Sequence, residues 1–380
     1  MSRPVVVTGL GLVSCAGEGV DAHLAALAGE AAPRTDSETF APYPVHPAPA
    51  IAWDGQIPKR SDQRQMEAWQ RLGVYAAGLA LDEAGVKDDA AFKQALHLVV
   101  AAGGGERDYA ADGAILTGLR DAADPGAYLN ERLQNDLRPT LFLAQLSNLL
   151  AGNIAIVHGV TGASRTFMGE ESAGVDALRI AQARVASGQI DAILVGGSYS
   201  AERPDVLVIH EMGGYLARDA YRPVFARGDA GGEAGGFILG SCAAFLMLES
   251  AAHAAARGAR ALARLEPVAS DRTRRVPGSV AGSLETLWRR RAGLSAPDHV
   301  LSGATGVAPI TAEERAALAQ LAPRARLRAL GDVIGHGLEV AAPFGAALAA
   351  ALVADGRARE VAVTAVGHRR GEGVLRLVPA

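Results

Sequence analysis

Short apolar runs with glycine at their ends, at residues 5–7 and 192–195, alternate along this chain with alanine-rich helical segments at 21–27, 66–84 and 251–257. An uninterrupted apolar run suits a strand buried on both faces of a sheet, and its alternation with helices predicts an α/β fold in which helices cover sheets. At 380 residues and 49% hydrophobic content, the chain can bury a large core and exceeds the usual size of one simple domain. Gly258 is expected to stop a helix and residues 260–269 to open a second strand-led unit, which divides the chain into 1–258 and 259–380. The second part echoes the first, since a glycine-rich turn at 335–337 leads into a helix as 169–174 does.

The formal charge of −4 is spread along the chain without a basic block, so neither nucleic acid nor an anionic membrane surface is an expected partner. Arginine-rich pieces at 272–275 and 289–291 are either solvated faces or a local patch for an acidic partner. Two cysteines, Cys15 and Cys242, offer no disulfide framework and fit a reducing cytoplasm, where both read as small packed hydrophobes. The N-terminus lacks a signal-peptide pattern and no charge-free run is long enough to span a bilayer, so a soluble, cytoplasmic protein without an integral membrane segment is expected. No cofactor and no metal are expected. Residues 31–60 carry six prolines with little periodicity and read as a surface excursion, and Thr311-Ala-Glu-Glu314 reads as a capping box at a helix start.

The stretch Thr166-Phe-Met-Gly-Glu-Glu-Ser-Ala-Gly174 leads into a predicted helix over 172–187, closed by Gly188, with Val175, Leu178, Ala181 and Val185 on one face. A helix N-terminus therefore follows Glu171 directly. Such a position lowers a thiol pKa and stabilises an oxyanion, which suits a nucleophile, yet a carboxylate stands there.

Seven segments occur in one order: Arg3-Pro-Val-Val-Val-Thr-Gly-Leu-Gly-Leu-Val13, Arg64-Gln-Met-Glu67, Leu149-Leu-Ala-Gly-Asn-Ile-Ala-Ile-Val-His-Gly159, Asp191-Ala-Ile-Leu-Val-Gly-Gly197, Arg222-Pro-Val-Phe225, Gly236-Phe-Ile-Leu-Gly240 and Ile334-Gly-His336. In this order the chain resembles the β-ketoacyl-ACP synthases of the elongating, type II class, over nearly its whole length. The resemblance implies a thiolase-like fold, with duplicated βαβ halves forming a five-layered αβαβα sandwich. It also implies an acyl carrier protein as partner, and a dimer in which the segment before the nucleophile turn pairs across a two-fold axis while the loop at 139–147 reaches the neighbouring subunit.

That family uses a cysteine to accept the acyl chain, two histidines for decarboxylation of the malonyl thioester, and a lysine to order them. Here the cysteine position falls on Glu171, with Glu170 the alternative if the register slips by one. A carboxylate attacking a thioester would give only an uphill mixed anhydride, so ordinary acyl loading is expected to fail. The stretch Val300-Leu-Ser-Gly-Ala-Thr-Gly-Val-Ala-Pro309 holds no histidine, His299 precedes it, and Gly331 or Asp332 stands in the lysine place. His336 is retained, either as a functional remnant or as a core histidine. The family's Asn-Ser-Phe-Gly-Phe-Gly-Gly loop appears as Thr364-Ala-Val-Gly-His368-Arg-Arg370, which puts the acyl gate and the second oxyanion donor in doubt and makes His368 a tunnel or interface candidate.

Two roles for Glu171 stay open: a structural ion pair with Arg369, Arg370 or a partner's arginine, or help in decarboxylation or hydrolysis. The resemblance accordingly implies a non-condensing subunit of the chain-length-factor type, which pairs with an active synthase (a heterodimer) and shapes the acyl tunnel, with Phe142, Leu143 and Leu146 as interface residues. The run Phe40-Ala-Pro-Tyr-Pro-Val-His46, the Gly103-Gly-Gly-Glu-Arg107 segment and Gly169-Glu-Glu-Ser172 look more narrowly like a synthase-like protein of clusters that build very-long-chain fatty acyl groups for lipid A. Competing expectations are a malonyl-ACP decarboxylase using Glu171 and a homodimeric acyl-carrier-binding module without chemistry.

Overall fold

A computed structural model describes residues 2–380 apart from 106, 138–140, 219, 228–234 and 292–295, and all their side chains except those of 142, 144, 290 and 291. Ten strands form the main path of the sheet: β1 (Val5–Ser14), β2 (His97–Ala101), β3 (Ser164–Phe167), β4 (Ala192–Tyr199), β5 (Cys242–Ser250), β6 (Ala263–Leu265), β7 (His299–Ser302), β8 (Arg326–Ala329), β9 (Val361–Val366) and β10 (Glu372–Val378). Their order is β8-β7-β9-β10-β6-β1-β5-β4-β2-β3, and the short strands Gly17–Glu18 and Ala269–Asp271 pair with β1 and β10. Among the described residues, a brief antiparallel contact, Val6 and Val7 with Arg264 and Ala263, is all that joins the ladder of the first five strands to that of the last five.

The helices that place the site are α1 (Gly19–Ala28), α2 (Ala68–Glu83), α3 (Leu149–His158), α4 (Glu171–Ala186), α5 (Pro204–Met212), α6 (Ser279–Thr286), α7 (Ile310–Leu321) and α8 (Ala341–Ala354). Helices α2 and α3 cover one face of the first ladder, with Trp69, Leu72, Leu81, Leu150 and Ile154 packed on Leu98, Val100, Phe245 and Met247. Helices α4 and α8 lie between the two ladders and touch strands of both, and α6 and α7 pack on one another beyond the second ladder. Helix and strand layers thus succeed one another as the expected α/β, five-layered sandwich. Apolar residues line all of α8 because both its faces meet sheet, whereas a one-sided helix would show a stripe.

The expected strands at 5–7 and 192–195 run on to Ser14 and Tyr199, because small residues let them continue under helices. At Gly11 a Cβ would lie 1.8 Å from the Ala76 carbonyl oxygen, so only glycine lets α2 sit this close to β1. Expected helices at 21–27, 66–84 and 251–257 appear at Gly19–Ala28, Ala68–Glu83 and Ala251–Ala256. One local reading is corrected. Thr311 and Glu314 do not form a capping box, since α7 starts at Ile310; the Thr311 hydroxyl accepts from the Gly306 N–H at 2.9 Å, and buried Glu314 accepts from Ser302 and Thr364 hydroxyls at 2.7 Å each. A reciprocal capping box does occur at Glu67 and Gln70, opening α2.

Candidate active site

Helix α4 begins at Glu171, and the residue before it, Glu170, has φ 63° and ψ −150°, a conformation that side chains rarely adopt. Leu338, two residues past His336, has φ 46°. Among the described residues these are the only non-glycine residues with positive φ, and strain of this kind persists where the surroundings over-determine a site. The carboxylate they frame is sealed: Glu171 is 1% exposed, His336 4% and His368 3%.

One Glu171 oxygen, Oε1, takes three donors. His336 donates from Nε2 and His368 from Nδ1, each at 2.9 Å, and the backbone N–H of His368 adds a third at 3.4 Å. A carboxylate only accepts, so each of these ring nitrogens carries its hydrogen toward Glu171. Oε2 has no hydrogen-bond partner among the described residues. It lies beside Gly367, where a Cβ would sit 3.1 Å from Oε2 and 2.1 Å from the Arg370 carbonyl oxygen. Burial pushes the Glu171 carboxyl up, but the hydrogen bonds from His336 and His368 and the attraction of both rings outweigh it and hold the carboxyl below its usual range. The helix N-terminus acts in the same direction.

Aromatic rings fill the space over this cluster. Phe237 lies 4.7 Å from the His336 ring and 5.4 Å from the His368 ring, and Tyr215 packs edge-on to His368 at 4.6 Å. His210, from α5, is 5.0 Å from Phe237, and burial followed by the nearness of His336 and His368 lowers it to about 4, so it is neutral. A second buried carboxyl, Glu339, stands behind the strained turn and accepts the Glu170 N–H at 3.3 Å, while its Oε2 has no hydrogen-bond partner among the described residues. Burial, together with the charges of Glu171 and Glu170, pushes it up to about 7 against the pull of its backbone donors.

The loop bearing His368 is held from below by Arg275, whose Nη2 donates to the Gly367 carbonyl at 2.6 Å and whose Nη1 pairs with buried Glu372. Asp332, which with Gly331 is one of the two candidates for the lysine place, accepts from the Val224 N–H at 2.8 Å and the Tyr221 hydroxyl at 3.2 Å and so ties down a neighbouring loop. Glu170, Glu171 and His368 bring one possible metal-ligand atom each within 4.8 Å. His368 Nδ1 already donates to Glu171, and its Nε2 stands 3.7 Å from the Glu170 carboxylate, so contacts made without an ion account for the grouping.

Of the residues singled out in the sequence, the structure joins Glu171, His336 and His368. Glu171 pairs with histidines rather than with Arg369 or Arg370: Arg369 reaches Glu170 at 3.5 Å on the rim. Leu143 and Leu146 are surface residues, 47% and 37% exposed, and the Phe142 side chain and residues 139–140 of the expected interface loop lie outside the described residues. Cys15 and Cys242 are buried, and burial pushes the Cys15 thiol up to about 12 and Cys242 higher still, so neither is a nucleophile. Glu339, His210, Phe237 and Tyr215 were not anticipated. A glutamate inside the apolar run after His336 was a readable signal for the first; His210 comes from α5, Tyr215 from the turn after it and Phe237 from a segment bridged to Leu216, and only the fold brings them here.

No helix among the described residues is long and apolar enough to cross a membrane. Residues 2–254 match the model of the β-ketoacyl synthase N-terminal domain family. The chain is 29% identical over 388 aligned positions to the ketoacyl synthase beta subunit of the tetracenomycin polyketide synthase of Streptomyces glaucescens, covering 96% of this chain and 86% of that one. It is 26% identical over 267 positions to 3-oxoacyl-[acyl-carrier-protein] synthase 2 of Vibrio cholerae, covering 69% of this chain and 62% of that protein. In fold it is similar to the ishigamide ketosynthase/chain length factor, with a TM-score of 0.79 at 21% identity, and to a type II polyketide ketosynthase solved with its acyl-carrier protein, with a TM-score of 0.76 at 18% identity; both matches cover the whole of each chain. With residues 2–254 matched to that family's model, the chain belongs to the β-ketoacyl synthase family.

Proposed function

We propose that this chain is a non-condensing β-ketoacyl synthase subunit of the chain-length-factor type, which pairs with an active synthase during acyl chain elongation on an acyl carrier protein. The observation that carries this reading is the Glu171 carboxylate, ionised and tied to both histidines. An anion at this place repels the carboxylate of a malonyl group, and it occupies the His368 N–H that would otherwise receive an oxyanion. An ionised carboxylate has no proton to donate to a nascent enolate, so decarboxylation by Glu171 is disfavoured. The similarity to a ketoacyl synthase beta subunit over 96% of the chain supports the partner role.

The acyl chain is then carried by the partner's cysteine, and this chain supplies a wall of its tunnel. Edge strand β3, with Met168 beyond it 63% exposed, offers unpaired backbone to a second subunit, and exposed Leu143 and Leu146 supply further apolar surface. Long acyl groups, including the very long chains of lipid A, fit an apolar wall that buries methylenes at about 0.8 kcal/mol each.

Co-expression with a cysteine-containing synthase, size-exclusion chromatography and a carrier-bound elongation assay read by mass spectrometry test the proposal. A stable complex that elongates only with both chains present, and that keeps its activity with Glu171→Gln, is expected. Conversion of malonyl carrier to acetyl carrier by this chain alone, abolished by Glu171→Gln, would overturn it.

A further inference from the structure

Strands β7, β8 and β9 run parallel, and the loops beyond their C-terminal ends lead to His336 and His368. Their opposite ends form a concave surface that takes no part in the cluster around Glu171. A cavity of about 800 Å³ lies there, walled by Arg324 and Arg326 at the start of β8 and by Arg357 and Arg359 from the loop before β9, with His299 at the start of β7 between them. A smaller adjoining hollow of about 400 Å³ shares His299, Arg326 and Arg357, adds Arg328, and has an apolar floor of Leu24, Leu27 and Leu352.

Five arginines thus converge from two elements against two acids. Asp298 is engaged by the backbone N–H groups of Arg359 and Glu360, at 2.6 and 3.1 Å, and Asp355 pairs with Arg357. The guanidinium groups of Arg324, Arg326 and Arg328 make no hydrogen bond or ion pair among the described residues, although the Arg326 backbone N–H donates to the Asp298 carbonyl at 2.9 Å. Arginines on an edge strand discourage unwanted strand pairing, which explains Arg326 and Arg328 on β8. That account leaves out Arg357 and Arg359, which approach from a separate loop. Planar guanidinium forks on facing walls match the oxygens of a phosphate, and the volume is that of a small-molecule site.

We propose that this cavity binds a phosphate-bearing small molecule of nucleotide-like chemistry, its phosphates among Arg324, Arg326, Arg357 and Arg359 and its ring over Leu24, Leu27 and Leu352. The site is independent of the role given to Glu171. The test is calorimetric titration of the full chain with ATP and, separately, with inorganic pyrophosphate, alongside sedimentation with phosphatidylglycerol vesicles. Saturable binding of ATP is expected, tighter than that of pyrophosphate and weakened at least tenfold in an Arg326→Ala/Arg357→Ala variant whose circular dichroism melt is unchanged. Equal ATP affinity in wild type and variant, or no saturable binding of either probe, overturns the proposal. So does vesicle sedimentation without saturable ATP binding, which would make the phosphate source a lipid headgroup at a membrane surface.

Discussion

Glu171 and Glu339 are both buried glutamates on opposite sides of one strained turn, yet their pKa values are pushed in opposite directions. Glu171 receives two imidazole donors and a backbone N–H and is held ionised, whereas Glu339 receives backbone donors alone, faces two other carboxylates, and is pushed up to about 7. Burial is similar, with 1% and 4% exposed, so the difference lies in the partners. A buried carboxylate becomes inert chemistry when its charge is fully answered, and a source of instability when it is not.

The sharpest way to break this contrast is Glu171→Ala, which leaves His336 and His368 facing an empty space. A loss of about 3–5 kcal/mol is expected in urea unfolding at pH 7. Because the folded pKa of Glu171 is depressed, its contribution is fully present above the usual value of 4.5 and fades as the pH falls below it, so the acid limb of the stability profile should flatten in the variant.

Glu339→Gln should act in the opposite sense. Its pKa is raised from 4.5 to about 7, so the folded state binds the extra proton between those values and stability falls as the pH rises through that window. Replacement is expected to stabilise by roughly 2–3 kcal/mol at pH 8 and by nothing measurable at pH 4.5, read from thermal melts at both. His368→Phe keeps a ring against Tyr215 and Phe237 but removes one donor, and a loss of about 1–2 kcal/mol is expected in the same urea assay. Arg369→Ala removes only the exposed pair with Glu170 and should cost less than about 0.5 kcal/mol.

The architecture was legible because it is written in local pattern: apolar runs for strands buried on both faces, alanine-rich helices, and seven ordered segments. Glu171 stood out for the same reason, since a helix start after a strand is a local signal. Its partners were not legible as partners. His368 lies 197 residues away and reads in the sequence as a tunnel or interface residue, because the sequence shows His-Arg-Arg in place of a glycine-rich loop without showing which of the three turns inward. The adjacent arginines looked like natural counter-ions, but the loop turns Arg369 out to the rim, with 62% of its side chain exposed. Thr311 and Glu314 misled in a similar way: they carry the spacing of a cap, yet the helix begins one residue before Thr311 and both side chains satisfy interior groups.

The measurement that bears most directly on the central claim is isotope-edited infrared spectroscopy of glutamate carboxyl groups at pH 7, wild type against Glu171→Gln. Loss of a carboxylate band on substitution is the predicted result, since Glu171 is ionised between its two histidines. Loss of a protonated carboxyl band instead would contradict the account, because Glu171 would then carry the proton needed to assist an enolate and the site would be poised for decarboxylation.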